Sequence, residues 1–367
     1  MGGTVGAFAT GSIQSVFKGY FKGSDINDLG LYDGGNVETQ SDNYNVKLLG
    51  VISDGDIAYS SIEVTKKDGS AIVEDGYYVS RTLHISDDNS YEFSYNGDEQ
   101  SQNENAIPRS IYSLSDDKKT LSIYTDYARG VNMEHGLKDF RVSYHNKIVD
   151  VYKLDKVLYT RDLPKVQTGP DEMTDEEYRL EEEKLLSLRE ENGLTENECI
   201  WVKHEGKFVY AKGEQKQFEL PFDISFDINQ TVDNLISRDL NTENASNFVK
   251  EYTSNAKMTI SPLGISVSGE CDQKYDNQLQ DWECRCFELP GRDGKSKVVL
   301  DDGTVYYLLS NEGGERRTDE NGVFHERINL QYSATEQVPF NLAGNRILID
   351  LDKVQSVIIN GETIYQK

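Results

Sequence analysis

Apolar and polar residues alternate along much of this chain, and the alternation is clearest over residues 218–228. The apolar members of that segment are Phe218, Leu220, Phe222, Ile224, Phe226 and Ile228. Because successive side chains of a β-strand point to opposite faces, a period of two predicts a strand with one buried face. Shorter segments of the same kind recur on both sides, so the chain is predicted to be mostly β.

Polar turn sequences separate these segments at short intervals. They include residues 53–56, 67–69, 86–89 and 115–118, all rich in Asp, Asn, Ser or Gly, which suit tight turns. The predicted strands are residues 44–53, 58–66, 77–85, 90–95, 110–114, 120–124, 140–144, 147–158, 200–210, 218–228, 257–271, 297–300, 305–309, 327–332, 346–350, 354–359 and 363–365. Hairpin turns are also predicted at Glu205-Gly206, within residues 200–210, and at Asn360-Gly361, before residues 363–365. Such spacing favours β-sandwiches, and we expect two of them, of the immunoglobulin-like kind.

A short amphipathic helix is predicted near the start of the chain, over residues 11–23. Its apolar residues recur at helical spacing, and Ser12 is placed to cap its first turn. These residues are Ile13, Val16, Phe17, Tyr20 and Phe21. We expect this helix to pack on a sheet.

A second, acidic helix is predicted in the middle of the chain, after a linker at residues 164–170. Residues 174–177 form a capping box, and Asn192-Gly193 suits a left-handed helix end. A helix this charged is expected to be a solvated connector rather than a partner-binding element. The predicted domains are therefore residues 1–165 (N-terminal helix and β-domain), 166–197 (linker and acidic helix) and 198–367 (immunoglobulin-like β-domain).

The composition limits the classes of partner. With 367 residues, 37% of them hydrophobic, the chain can bury more than one core. Its net charge of −26 repels phosphate backbones and anionic lipid headgroups, so neither nucleic acid nor peripheral membrane binding is expected. Acidity of this kind is usually a solubility device, although it also attracts divalent cations, basic peptides or cationic wall groups.

The start of the chain bears on its location. No stretch approaches the roughly 20 apolar residues of a transmembrane helix, and no signal peptide is evident. Residues 1–11 are small and weakly apolar, like the outer end of a membrane span. We therefore expect a domain on the extracellular face of the cell membrane, with its single-pass anchor outside this chain.

Four cysteines lie in the second half of the chain: Cys199, Cys271, Cys284 and Cys286. Cys284 and Cys286 would lie on one face of a strand, where a bridge between them would be strained. A cross-strand disulfide from Cys271 to either Cys284 or Cys286 fits the spacing better. A zinc site is less favoured because no Cys-x-x-Cys pair is present.

Catalytic chemistry has little support in the sequence. The five histidines are His84, His135, His145, His204 and His325. None accompanies a Gly-x-Ser-x-Gly nucleophile elbow, and no Gly-rich phosphate loop joins a strand to a helix. With 64 acidic residues, carboxylate pairs arise by chance. The chain is predicted not to be an enzyme and to carry no catalytic or cofactor-binding residues.

Calcium is a separate possibility, because several turns are rich in carboxylates. Residues 54–56, 87–89 and 116–117 qualify, but none continues into a complete calcium-binding loop. Asp and Asn already have a role in such turns, where they cap the backbone. No metal site is predicted.

The order of segments resembles a known family. After the N-terminal helix come residues 36–48 and residues 51–59, the latter reading Val-Ile-Ser-Asp-Gly-Asp-Ile-Ala-Tyr, and then a strand that ends in Lys67-Asp68-Gly69. Residues 218–222, 258–265 and 349–361 follow in the second half. Together they are similar to the extracytoplasmic region of membrane-anchored anti-sigma-factor-like proteins of Gram-positive bacteria, a domain of unknown function followed by a β-domain.

The resemblance implies a single-pass regulator whose sigma-factor-binding part is cytoplasmic and absent from this chain. This chain would be a non-catalytic sensor that binds a protein, peptide or cell-wall ligand. A carbohydrate-binding or adhesive module is the alternative, because strands that carry many of the 22 tyrosines suit stacking on sugars. A glycan-active enzyme is a second alternative.

Overall fold

The protein is described by a computed structural model of the chain. The residues described are 16–17, 20–22, 32–33, 37–80, 84–85, 91–95, 109–128, 137, 140–162, 175–205, 207–240, 248–249, 253–274, 287, 295–318, 323–336 and 346–367. In this part of the chain the fold is mostly β, with one α-helix, which confirms the predicted β-rich class.

The strands are numbered in chain order. They are β1 (Phe21–Lys22), β2 (Tyr32–Asp33), β3 (Glu38–Gln40), β4 (Tyr44–Ser53), β5 (Ile57–Lys66), β6 (Tyr77–Val79), β7 (His84–Ile85), β8 (Tyr91–Tyr95), β9 (Arg109–Leu114), β10 (Thr120–Ala128), β11 (Phe140–Asp162), β12 (Cys199–His204), β13 (Lys207–Ile228), β14 (Ile236–Asp239), β15 (Thr253–Ser261), β16 (Gly264–Lys274), β17 (Lys297–Leu300), β18 (Val305–Thr318), β19 (Val323–Thr335), β20 (Arg346–Ile347), β21 (Val354–Ile359) and β22 (Glu362–Gln366). The helix α1 spans Asp175–Glu191, and short 3-10 turns occupy Glu196–Glu198 and Leu351–Lys353.

Sheet I is formed by strands from the first third of the chain. Its order is β2-β4-β5-β10-β9-β7, with β3 paired to β4, and its hairpins are antiparallel. The chain reverses direction between β4 and β5 in a tight turn that Asp54 and Gly55 stabilise. Gly55 has a φ of 93°, and Asp54 Oδ1 accepts hydrogen bonds from the backbone N–H groups of Asp56 (2.8 Å) and Ile57 (2.6 Å).

Sheet II is built around one long antiparallel pair. Strand β11 pairs with β13 from Phe140 opposite Ile228 to Asp162 opposite Lys207. β12 extends the sheet beyond β13, while β6 and β8 pair with the other side of β11. The predicted strands 140–144 and 147–158 are thus one strand, with register shifts that absorb the irregular spacing.

This pairing crosses the domain boundaries predicted at residues 165 and 198. The apolar face of residues 218–228 lies in the first core, together with Val142 and Tyr144 of β11 and Val46 of β4. Sheets I and II therefore enclose one core as a sandwich-like unit. Residues 220–228 contribute alternate buried side chains to that core, and residues 199–211 continue the same sheet, where their apolar side chains pack against Tyr152 of β11.

Sheet III contains most of the remaining strands. Its order is β14-β15-β16-β19-β18-β17-β21-β22, with β20 paired to β19. The second core is formed by strands from across this sheet, so sheet III curves around its own apolar face. Residues 257–271, predicted as one bent strand, form a hairpin of β15 and β16 that turns at Pro262-Leu263, where the hydroxyl of Ser261 accepts hydrogen bonds from the turn's backbone.

The N-terminal segment differs from the helix predicted over residues 11–23. Only Val16 and Phe17 are helical among its described residues, and Phe21–Lys22 forms β1, parallel to β20. The backbone carbonyl of Tyr20 accepts a hydrogen bond from the N–H of Arg346 (2.9 Å), which draws this segment into sheet III instead of a longer helix. The expectation that its apolar side chains pack on a sheet is confirmed for Phe17, Tyr20 and Phe21, which are buried.

The helix α1 connects β11 to β12 and is solvated along most of its length. Gly193, two residues after it, has a φ of 64°, the left-handed conformation expected of a helix end. The helix and the residue that follows it contact the end of β11 near Asp162, which we call the outer end of this strand. Glu181 pairs with Arg161 (3.1 Å), and Asn192 Oδ1 accepts a hydrogen bond from Lys156 (2.6 Å).

Replacement of Phe226 tests whether residues 218–228 belong to the first core. Phe226 is 2% exposed and stacks on Tyr144, with ring centroids 5.8 Å apart. We expect Phe226→Ala to lower the free energy of unfolding by about 3–5 kcal/mol, because it removes buried surface and leaves a cavity. Asp227→Ala is the control: its carboxylate makes an exposed ion pair with Arg141, so a loss below about 1 kcal/mol is expected. Equal losses in denaturant titrations would contradict this packing.

Candidate functional site

The cysteines occupy separate places in the described structure. Cys271 of β16 is buried, and its Sγ lies 4.0 Å from Oε2 of Glu326. Cys284 and Cys286 lie outside the described residues, so the predicted bridge from Cys271 stays a prediction. Cys199 begins β12 and is half-buried beside Tyr210, whose pKa rises to about 12, chiefly through burial and then through its contact with Cys199.

The histidines are also spread apart. His204 lies at the end of β12, where its Nδ1 is 3.0 Å from the hydroxyl of Tyr152 and its ring packs edge-on against Tyr78. His325 lies in β19 of sheet III, whereas His204 lies in sheet II. Among the described residues, no group of three or more His, Cys, Asp or Glu side chains could hold a metal ion.

The carboxylate turn at residues 54–56 forms contacts between sheets I and III. The hydroxyl of Ser261 donates to Asp54 Oδ2, and that of Ser266 donates to Asp56 Oδ2 (2.6 Å). Burial raises the pKa of Asp54 to about 6, with a further contribution from the charge of Asp56. In this turn, carboxylate oxygens that suggested calcium are thus engaged by backbone and serine groups, while residues 87–89 lie outside the described residues.

A buried ion pair joins the same two sheets. Arg346 of β20 and Asp126 of β10 approach to 3.3 Å, and their side chains are 2% and 5% exposed. Near them, the hydroxyl of Tyr59 lies 3.1 Å from the hydroxyl of Ser333. The sequence does not reveal this pair, because each residue reads as an ordinary charged position near a strand end.

A group of exposed and half-buried aromatic side chains lies at the outer end of sheet II. Trp201 of β12 is directly opposite Tyr210 of β13, which is opposite Tyr159 of β11. The alternate residues point the other way and are buried: they are Ile200, Val202, Val209 and Ala211. Strand alternation therefore places the aromatic side chains on the solvent-facing side. We call Tyr159, Trp201, Phe208 and Tyr210 the outer aromatic face.

Three rings of this face have nearly parallel planes. The Trp201 and Phe208 ring centroids are 5.7 Å apart with planes at 8°, and those of Trp201 and Tyr159 are 6.2 Å apart with planes at 13°. Trp201 remains 37% exposed in this arrangement. An exposed aromatic group of this size usually marks a contact surface.

Cationic side chains lie over these rings. The guanidinium of Arg161 is 4.9 Å from the centroid of Phe208, and the ammonium groups of Lys203 and Lys184 are 5.5 Å from Phe208 and 3.9 Å from Tyr159. Arg161 is paired with Glu181, whereas neither lysine has a carboxylate within ion-pair distance among the described residues. Desolvation lowers the pKa of Lys203 below its ordinary value.

Sequence reasoning did not single out the outer aromatic face. Its members are scattered over residues 159–210 and come together only through the pairing of β11, β12 and β13. The available signal was local: Trp201, Lys203, Phe208 and Tyr210 fall on one side of the hairpin predicted at residues 200–210. That hairpin is confirmed, with Glu205 in its turn at a φ of 46°.

Comparisons with known proteins add little beyond this geometry. No family model matches the chain, and no curated protein matches it. The chain is similar to a crystal structure of a conserved domain protein from Bacillus anthracis, with 11% identity and a TM-score of 0.27, over 82% of this chain and 73% of that one. A score this low does not carry fold details or function to this chain. Within the described residues, no helix is long and apolar enough to cross a membrane.

The burial of Asp54 beside Asp56 predicts a pH dependence of stability. The pKa of Asp54 is about 6 when folded and 3.8 for an ordinary Asp, so the folded state favours the protonated form. The contribution of Asp54 is therefore greatest below pH 3.8 and is lost as the pH rises through 6, by about 3 kcal/mol in total.

Asp54→Asn isolates this effect because Asn cannot titrate. In denaturant titrations at about pH 4.5 and about pH 7.5, we expect the mutant to gain stability relative to wild type at the higher pH. Other carboxylates titrate in both proteins and cancel in the difference. A mutant-to-wild-type difference that does not change with pH would contradict the raised pKa.

Removal of one member of the buried ion pair should be costly. Arg346→Met leaves the Asp126 carboxylate buried without its partner, so we expect a loss of about 3–5 kcal/mol in the free energy of unfolding. The double variant Arg346→Met, Asp126→Leu should lose less than the sum of the two single changes. Lys47→Met is the control, because its pair with Glu38 is exposed and worth below about 1 kcal/mol. Additive single losses would contradict a coupled pair.

Proposed function

We propose that this chain is the non-catalytic, ligand-binding sensor region of an anti-sigma-factor-like regulator, on the extracellular face of the cell membrane. Its anchor and its sigma-factor-binding part would lie outside the chain. The proposal rests on the family resemblance for its setting and on the outer aromatic face for the binding role. The predicted partner is a protein, peptide or cell-wall ligand.

The finer architecture is part of the same proposal. We propose two sandwich-like units, one formed by sheets I and II and the other by sheet III, each of immunoglobulin-like character. The grouping is supported by the two separate cores, which share no residues. Because α1 contacts the outer end of sheet II, we assign it to the first unit rather than to a free connector.

One observation carries the binding role: Trp201 is exposed within a row of aromatic rings. Exposure of a large aromatic side chain is unfavourable in water, and contact with a ligand would relieve it. The row lies on the outer end of the long pair of β11 and β13, whose inner end is part of the first core. A ligand at the outer end would thus contact the same two strands that form part of the first core. This connection would let ligand binding affect the rest of the unit, which is what a sensor needs.

A carbohydrate-binding or adhesive module is the alternative function. The near-parallel planes of Tyr159, Trp201 and Phe208 favour it, because aromatic side chains offer flat apolar surface for stacking. A glycan-active enzyme would further need two carboxylates at a defined separation around the sugar. Near this face, Asp162 and Glu198 are instead paired with Lys207 and Lys212, at 3.6 and 3.7 Å.

Trp201→Ala tests the binding role. We expect the wild-type protein to co-sediment with purified Gram-positive cell walls and Trp201→Ala to bind at least about tenfold more weakly, because its stacking surface is lost. Tyr78→Ala is the matched control, since Tyr78 is another exposed aromatic residue, at 43%, outside the outer aromatic face. Absence of binding by the wild type, or equal weakening by both changes, would overturn the proposal that this face binds a wall ligand.

A genomic observation tests the regulatory setting. A sigma-factor gene directly beside the gene for this protein, together with a membrane span encoded in frame with this chain, is the expected result. A gene whose neighbours include no transcription regulator, and whose product has no span, would contradict the anti-sigma-factor part of the proposal while leaving the binding role intact.

A further inference from the structure

We infer that the outer aromatic face binds a carboxylate-bearing glycan, with a sugar ring stacked on Trp201 and its carboxylate paired with Lys203. This inference rests on the proposed binding role and specifies the chemistry of the ligand.

The first step is the geometry of the stacking surface. Trp201 is flanked by Tyr159 and Phe208 in nearly parallel planes, so the exposed part of the indole belongs to a row of rings rather than an isolated side chain. A pyranose ring has an apolar C–H face of similar size. Such a face gains contact area on an indole without displacing buried groups.

The second step is the state of Lys203. Its ammonium lies over Phe208 and has no carboxylate within ion-pair distance among the described residues. Neighbouring lysines differ: Lys207 and Lys212 are each paired with an acid. Lys203 is also partly desolvated, which lowers its pKa. An anionic ligand would supply the missing partner and compensate its desolvation.

The third step is the spacing between ring and charge. Trp201 and Lys203 are two residues apart on one strand, so they share a face at about 7 Å separation. A carboxylate attached directly to a sugar ring matches that spacing within a single residue. Lys184, which lies over Tyr159 on the other side of Trp201, also has no carboxylate partner among the described residues. A second uronate residue of the same chain could pair with it.

These features favour an acidic glycan over the other occupants. A neutral glycan would use the rings but leave both lysines without a partner. A peptide could instead pair with the backbone of β12, which is the edge strand of sheet II, without needing the ring row. The net charge of −26 opposes every polyanion, so binding of an acidic glycan depends on the local positive charge of Lys203 and Lys184.

Calorimetric titration of the whole chain with polygalacturonate, and with the neutral glycan dextran, tests the inference. We expect polygalacturonate to bind and dextran to bind at least about tenfold more weakly. Lys203→Met, which keeps the apolar stem but removes the charge, should weaken polygalacturonate binding at least about tenfold, and Trp201→Ala should abolish it. Lys67→Met, at an exposed turn lysine away from this face, should leave binding unchanged.

The outcomes separate this inference from the proposed function. Equal binding of both glycans, or unchanged binding by Lys203→Met, would overturn the acidic-glycan assignment while the loss in Trp201→Ala still supported the binding face. Binding of cell walls that survives Trp201→Ala would overturn both. Wall binding that needs Trp201 but is removed by protease treatment of the walls would identify a peptide ligand and overturn the glycan assignment alone. Circular dichroism of each variant confirms that it is folded.

Discussion

The antiparallel pairing of β11 with β13 is the interaction on which the rest of the first unit depends. It runs from Phe140 opposite Ile228 to Asp162 opposite Lys207. At its inner end, apolar side chains of both strands close the core against sheet I. At its outer end, the same ladder carries β12 and the contacts of α1. One strand pair thus determines both where the core is buried and where aromatic side chains are exposed.

Sheets I and III meet through a small set of polar contacts within an apolar surround. Asp54 and Asp56 bind Ser261 and Ser266, and Arg346 pairs with Asp126. The apolar part includes Phe17, Phe21, Leu263 and Leu348 among other buried side chains. Apolar burial supplies most of the attraction between sheets I and III. The buried charges contribute little net stability. They favour one relative orientation of the two sheets, because a different orientation would leave Arg346 and Asp126 buried without each other.

Local patterns predicted individual elements well. Strand β4 was predicted at residues 44–53 and matches, and Asn360-Gly361 forms the predicted hairpin turn with φ values of 52° and 86°. The differences between the structure and the sequence-based expectations concern what an element packs against. The period of two over residues 218–228 identifies the buried face of this strand. It does not show whether that face packs against strands that precede α1 in the chain or against strands that follow it. The apolar spacing of residues 16–21 is likewise compatible with a turn followed by the short strand β1.

The sequence by itself determined the mostly β class, the turns, the helix over residues 175–191 and the strong negative charge, because each depends on neighbours in the chain. Only the tertiary structure decided that residues 199–228 join the first unit, that Arg346 and Asp126 meet across 220 positions, and that Tyr159 lies beside Trp201. These contacts depend on which apolar faces are buried together, and burial is insensitive to separation along the chain. The candidate site belongs to this second group, since its rings and lysines come from three strands and a helix.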